Sequence, residues 1–357
     1  MIKNTTFTQE WIHQISNTYT RGKRKASPAL IEKATKALHL LDSLAATDFQ
    51  FIFKGGTALL LLLDEMHRFS IDIDITTTRN LESLDNIFSQ IVAESEVFNR
   101  YEEDIRSSNI SIQKRHIKFF YNSILDGSEN YILLDILNVE TKYSNIIQKE
   151  VNCRLIDFVK PPRYVQIPDT ESLLGDKLTA FAPNTTGIPY GVGKELEIIK
   201  QLFDIAQLFD SIQRIDTVSE SFKMIAQQEL EFRGKYTQYS YQDVLIDIFN
   251  TSLIIGERNR MEKETFNLLL SGIKTIRDYI FTRNFILESA VNCAAKAAYL
   301  SKVILFGKRE IDKFDSKIDL SQYRIKNPEY KKFSSILKFD PEAYYYWFKT
   351  FELMEQN

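Results

Sequence analysis

The segment from Phe49 to Ile75, "FQFIFKGGTALLLLLDEMHRFSIDIDI", constrains the fold more than any other stretch. An apolar run of strand length stops at Gly55-Gly56, a leucine run follows that is apolar nearly all round, and the segment ends in strict alternation. Apolar all-round runs belong to buried helices, and period-two alternation belongs to strands. The spacing therefore predicts strand 49–53, a glycine turn, a buried helix 57–66 and a strand 70–75. A strand–turn–helix–strand unit of this kind needs a sheet beside it.

The surrounding chain supplies one. Ser27 and Pro28 are placed to cap and open a helix over residues 27–46. A helical stretch is expected over 81–100. "SIQKRHIKFFY" (111–121) and "YILLDILNV" (131–139) read as two strands joined by the turn signal Asp126-Gly127, and a short strand is expected at 164–167. Beyond Asp169 the pattern becomes helical almost to the end, beginning with helices near 170–182 and 194–212. The expected organisation is an α+β fold: a mixed sheet with helices over residues 1–168, followed by an all-helical domain over 169–357.

Composition narrows the function by exclusion. The net charge of −3 advertises no global affinity for nucleic acid, so a basic surface would have to be local. Cys153 and Cys293 are the only cysteines and have no CxxC or histidine-pair context, which argues against a disulfide framework or a zinc site. No apolar run approaches the ~18 residues of a membrane span, and the N-terminus lacks a signal-peptide pattern. A cytoplasmic setting is expected.

The acids carry the chemistry. On a strand, Asp72 and Asp74 face one side together with Ser70, while Ile71, Ile73 and Ile75 face the other. Two adjacent carboxylates repel each other unless a cation lies between them. Magnesium fits, since one or two carboxylates hold it while waters and substrate phosphates complete its shell. Asp135, inside the apolar strand "LLDIL", is a third acid that is costly to bury alone. Three acids on neighbouring strands suit two-metal phosphoryl or nucleotidyl transfer. The glycine turn lets backbone approach a triphosphate, and a helix N-terminus there would favour its charge. Taken separately, a D-x-D strand is also compatible with a solvated face, and a Gly-Gly pair with a simple turn. The three features together point to a metal site.

This order of motifs resembles the nucleotidyltransferase superfamily that includes DNA polymerase β, through Gly55, Gly56, Asp72, Asp74 and Asp135. "FKGGTAL" with "RFSIDIDI" is more narrowly similar to the AbiEii family, the toxins of type IV toxin–antitoxin systems. The resemblance brings in Arg68 and Ser70 as nucleotide-binding residues, with the longer spacing between Gly56 and Asp72 read as an extended helix. "LLGDKLTAF" resembles the family's lysine helix, with Lys177 in the functional position, and "KQLFDIAQLFD" resembles its following helix, with Lys200 and Asp204. An arginine often found soon after the lysine motif is replaced here by "APNTTGIPYGVGK".

The resemblance implies a Mg²⁺-dependent enzyme that moves a nucleoside monophosphate from an NTP to an acceptor, tRNA being the leading candidate, with an antitoxin as a protein partner. Asp72, Asp74 and Asp135 would hold metal, Gly55, Gly56 and Thr57 would cradle the triphosphate, Lys177 would bind it, and Asp204 would complete the site. A small molecule or protein side chain as acceptor, or a non-catalytic NTP-binding module, are the alternatives. From spacing alone Lys177 is equally a surface lysine, and Asp204 an ordinary i, i+4 partner of Lys200. His67 is expected at a helix end and His116 facing solvent. "RGKRK" (21–25) and residues 301–338, with Tyr323 and Tyr330 interleaved, are the candidate RNA-facing segments.

Overall fold

The computed structural model describes residues 1–21, 24–65, 67–105, 112–258, 262–282 and 284–356, without the side chains of 20–24. The chain divides into two compact units. The first comprises Met1–Thr141, Asn145–Asp169 and Asp278–Arg283; the second comprises Lys142–Ser144, Thr170–Arg277 and Asn284–Asn357.

The first unit holds helices α1 (Gln9–Thr18), α2 (Pro28–Ala45), α3 (Leu59–Leu62) and α4 (Asp85–Glu94). Strands β1 (Thr20–Arg21) and β2 (Arg24–Lys25) pair as a short ribbon. The main sheet contains β3 (Ile52–Lys54), β4 (Ile73–Thr77), β5 (Arg100–Glu103), β6 (Lys114–Asn122), β7 (Glu129–Asn138), β8 (Ile146–Glu150) and β9 (Tyr164–Pro168). Its order is β5-β6-β7-β4-β3-β9-β8. β4 runs parallel to β7 and β3 to β9, whereas the other neighbours are antiparallel, so the sheet is mixed.

The helix predicted from Ser27 forms as expected: the Ser27 hydroxyl accepts from the Leu30 N–H and Pro28 occupies the first turn. On the sheet, Ile73, Ile75, Ile117, Phe119, Ile132, Leu134 and Ile136 lie at most 1% exposed, forming the core face. Removing each such side chain from water contributes ~1.5–3 kcal/mol. Asp74 and Asp135 fall on the alternate, half-buried positions of β4 and β7.

Several boundaries move. The leucine helix is a single turn, because Leu63 leaves helical geometry with ψ 138° and Asp64 and Glu65 are exposed. The chain then returns through Arg68, which bridges Ile280, and Phe69, whose N–H donates to the Tyr279 carbonyl. The extended-helix reading is thus replaced by one buried turn plus a loop pinned by residues far along the sequence. The helical stretch 81–100 resolves into a 3₁₀ turn (Leu81–Leu84) and α4, with Arg100 already in a strand. Ser111, the start of one expected strand, lies outside the described residues.

The second unit is helical: α5 (Thr170–Ala180), α6 (Glu195–Ser211), α7 (Ile215–Phe232), α8 (Tyr241–Glu257), α9 (Lys263–Thr275), α10 (Leu287–Leu305) and α11 (Pro341–Gln356). α10, rich in alanine, is buried over most of its length and packs on α6, α8 and α11. α5 crosses α7 closely at Gly175, where a Cβ would lie 2.7 Å from the Phe222 backbone nitrogen. Among the described residues, no helix is long and apolar enough to cross a membrane.

Candidate active site

The sheet register brings four chemistry-bearing residues into one row. His116 on β6 pairs with Asp135 on β7, Asp135 with Asp74 on β4, and Asp74 with Lys54 on β3. Cα partners on adjacent strands share a face, at the ~4.8 Å strand spacing. Two acids are therefore neighbours across a parallel pair, flanked on either side by a nitrogen-bearing side chain.

Asp135 is 27% exposed, and its Oδ1 lies 2.6 Å from His116 Nδ1. This corrects the reading of His116 as a solvent-facing residue: its side chain is only 19% exposed and is directed at the acid. Since an ionised carboxylate only accepts hydrogen bonds, Nδ1 is the donor. Asp72 is exposed and precedes the strand, which begins at Ile73, so the two-acid motif straddles the strand entrance.

The glycine turn is fitted against these acids. Gly55 has φ +80°, and a Cβ built on it would lie 2.0 Å from Asp74 Oδ2. At Gly56 the same atom would lie 2.7 Å from both Arg68 Nη2 and Ser70 Oγ. Only glycine backbone leaves room for this polar wall. Thr57 is fully buried and its hydroxyl donates to the Asp72 carbonyl at 2.6 Å, tying the turn to the strand entrance. That side chain is therefore used internally, and a cradle at Thr57 rests on its backbone alone. Arg68 is 7% exposed and donates from Nη1 to the Phe69 carbonyl. With α3 only four residues long, the favourable helix-end field expected beside the glycines is absent, and close backbone approach remains.

No group of three or more His, Cys, Asp or Glu is gathered as a metal site among the described residues. The donor chemistry of Asp74 and Asp135, a cross-strand pair of carboxylates, nonetheless fits a hard cation such as magnesium, which needs one or two carboxylates from the protein.

In the helical unit, Lys177 and Asp204 meet across α5 and α6. Lys177 Nζ lies 2.9 Å from Asp204 Oδ2 and donates to Gln201 Oε1 at 3.1 Å, with the two charged side chains 6% and 1% exposed. Lys177 is thus no surface lysine, and Asp204 is buried rather than solvated; Lys200 also lies 3.8 Å from Glu197. The segment that replaces the family's arginine is anchored by Asp247. It accepts from the Asn184 and Thr185 backbone N–H groups, the Asn184 amide and the Thr185 hydroxyl. Burial pushes the Asp247 carboxyl up despite those bonds.

The aromatic platforms expected in 301–338 are largely internal: Tyr330 is buried and stacks on Phe351 at 4.1 Å, and half-buried Tyr323 packs on Phe348 and Tyr345. Lys302 is buried over the Phe249 ring and Lys332 pairs with Glu257. Arg309, Lys317, Arg324, Lys326, Lys331 and Lys338 remain exposed among exposed acids, whereas the Lys313 ammonium lies over the Phe209 ring and donates to its carbonyl. In "RGKRK", Gly22 and Lys23 lie outside the described residues. His67 is half-buried, with its carbonyl and Nδ1 both 3.5 Å from the Thr282 hydroxyl.

The chain is similar in fold to a putative nucleotidyltransferase from H. pylori, at 16% identity and TM-score 0.46 over 78% of this chain and 97% of that one. JHP933 from Helicobacter pylori matches at 16% identity and TM-score 0.44 over 79% and 96%. An antigenic nucleotidyltransferase-like protein from Paracoccidioides brasiliensis matches at 12% and 0.36 over 58% and 94%. No curated protein matches the chain. Residues 39–278 match the model of the family described as nucleotidyl transferase AbiEii toxin, type IV TA system. That match spans about two thirds of the sequence, and the chain belongs to the AbiEii family of nucleotidyltransferase toxins.

Proposed function

We propose that the first unit transfers a nucleoside monophosphate from an NTP to an RNA acceptor, tRNA being the candidate the family brings, and that Asp72, Asp74 and Asp135 hold magnesium. The observation that carries this reading is the adjacency of Asp74 and Asp135 across β4 and β7, beside a glycine turn whose Cβ position the Asp74 carboxylate occupies. A divalent ion bound there would supply charge neutralisation for an in-line displacement.

The chain's own residues divide the remaining work. The Gly55–Thr57 backbone, unobstructed by side chains at both glycines, accommodates the triphosphate, and Arg68 and Ser70 border it. Asp135, oriented by the bond from His116 to its Oδ1, takes the proton of the attacking hydroxyl. The hydroxyl oxygen then bonds to the α-phosphorus, the bond to the bridging oxygen breaks, and pyrophosphate leaves. Lys177 and Asp204 enter as the family's lysine-helix residues, with Lys177 proposed as a triphosphate contact.

The exposed basic residues between Arg309 and Lys338 support an RNA acceptor held through its phosphates. With Tyr330 stacked internally, base stacking there is not the basis of recognition. Phosphate contacts make binding strongly salt-dependent. An antitoxin is the proposed protein partner. The test incubates the protein with each α-labelled NTP, Mg²⁺ and total tRNA, with protein-only and small-molecule acceptors in parallel. Label on RNA, lost at high salt, is expected. Label only on protein or a small molecule overturns the RNA acceptor, and no transfer to any acceptor overturns the reading.

A further inference from the structure

We infer that His116 is a positioning residue for Asp135, fixing that carboxylate's orientation for cation binding; this rests on the metal-holding role proposed for Asp135. Asp135 has a like charge, Asp74, as its cross-strand neighbour on one side and His116 on the other. A carboxylate free to rotate beside another would turn away from it. The 2.6 Å bond from Nδ1 holds Oδ1 toward β6. Among the described residues His116 is the hydrogen-bond partner shown for Asp135, so Oδ2 stays available on the side of β4.

A plain cross-strand pair would look similar, but three features set this one apart. The bond is short, as expected for a charge-assisted contact. The acid it holds is the one adjacent to Asp74, with Gly55 shaped around that acid in turn. His116 is also only partly exposed, which limits water from replacing its N–H. Outer partners of metal-binding carboxylates commonly alter metal affinity 10–100-fold when removed.

The test titrates Mn²⁺ into full-length wild type, His116→Ala, His116→Asn and Asp135→Ala, following binding by calorimetry, with thermal melts as fold controls. Asparagine places an amide N–H close to the position of Nδ1, whereas alanine has no donor. His116→Ala should weaken Mn²⁺ binding on the order of 10-fold or more, and His116→Asn should recover most of it. At saturating Mn²⁺ the KM for NTP should be unchanged in both. Equal Mn²⁺ affinity in wild type and His116→Ala, with Asp135→Ala impaired, overturns the positioning role alone. Equal losses in His116→Ala and His116→Asn reduce the histidine to a packing role and overturn it too. Wild type that binds no Mn²⁺, or binds it as tightly as Asp135→Ala, overturns both the inference and the metal reading beneath it.

Discussion

Replacing Gly55 by alanine separates backbone strain from the fit between turn and acid. With φ +80°, any L side chain at this position pays for the left-handed region, ~1–2 kcal/mol. The added Cβ would also meet Asp74 Oδ2 at 2.0 Å, Cγ at 2.8 Å and Cβ at 2.9 Å, so the carboxylate has to move. Overpacking of this kind costs ~1–3 kcal/mol, which gives a total of ~2–5 kcal/mol. In an Asp74→Ala background the two nearest atoms are gone and only the contact at 2.9 Å remains. Because that remaining Cβ–Cβ contact is itself too close, Gly55→Ala should still cost more than the strain alone, but less than in the wild-type background. Urea denaturation of the four proteins of this cycle measures the coupling, expected at ~1 kcal/mol or more. Mn²⁺ titration of Gly55→Ala should show weakened binding at temperatures where it remains folded. Equal costs in the two backgrounds, with unchanged Mn²⁺ binding, would refute the idea that turn and acid are fitted to each other.

Other perturbations address other parts of the chain. Lys177→Met or Asp204→Asn breaks a buried ion pair and should cost ~3–5 kcal/mol in chemical denaturation, whereas the apolar double variant Lys177→Met with Asp204→Leu should be milder. His39 is half-buried, with its ring packed against Phe7 and Phe98, and desolvation of that ring lowers it from 6.5 to about 4. The unfolded chain therefore binds the extra proton first as pH falls. Stability should be flat with respect to His39 above pH 6.5 and decline from there to about 4, by ~3 kcal/mol in all. His39→Phe should remove that part of the acid limb in pH-dependent melts. If RNA is held by the exposed basic residues, combining Lys326→Ala and Lys331→Ala should flatten the salt dependence of RNA binding, seen in filter retention at several ionic strengths.

The sequence exposed the fold class because its periods are clean: alternation in "SIDIDI" and "YILLDIL" marks the sheet, and capped helical spacing marks α2. It also exposed the acids, since an Asp in an apolar strand requires a partner. What stayed hidden depends on pairing between distant segments. The leucine run looks like a long helix because five leucines satisfy a helical pattern, yet its length is set by the return through Arg68 to Ile280. The inclusion of residues 278–283 in the first unit has no local signature. His116 looked like one more polar residue in "KRHIK", since only the register of β6 on β7 reveals that it faces Asp135. Lys54 beside Asp74 is hidden in the same way. Lys177 and Asp204 carried no sign of burial, since charged residues on a helix ordinarily mark its solvated side.

The central claim is that Asp74 and Asp135 form one catalytic pair across adjacent strands. It is tested most directly by the rate of nucleotidyl transfer in Asp74→Asn and Asp135→Asn, measured with RNA and Mg²⁺ at saturating NTP, alongside unfolding curves. Each variant should fold with stability near that of wild type and lose on the order of 10³-fold or more in kcat, with the double variant little worse than either single one, as for residues that act as a unit. Full activity in either variant, or losses that multiply in the double variant, would contradict the account.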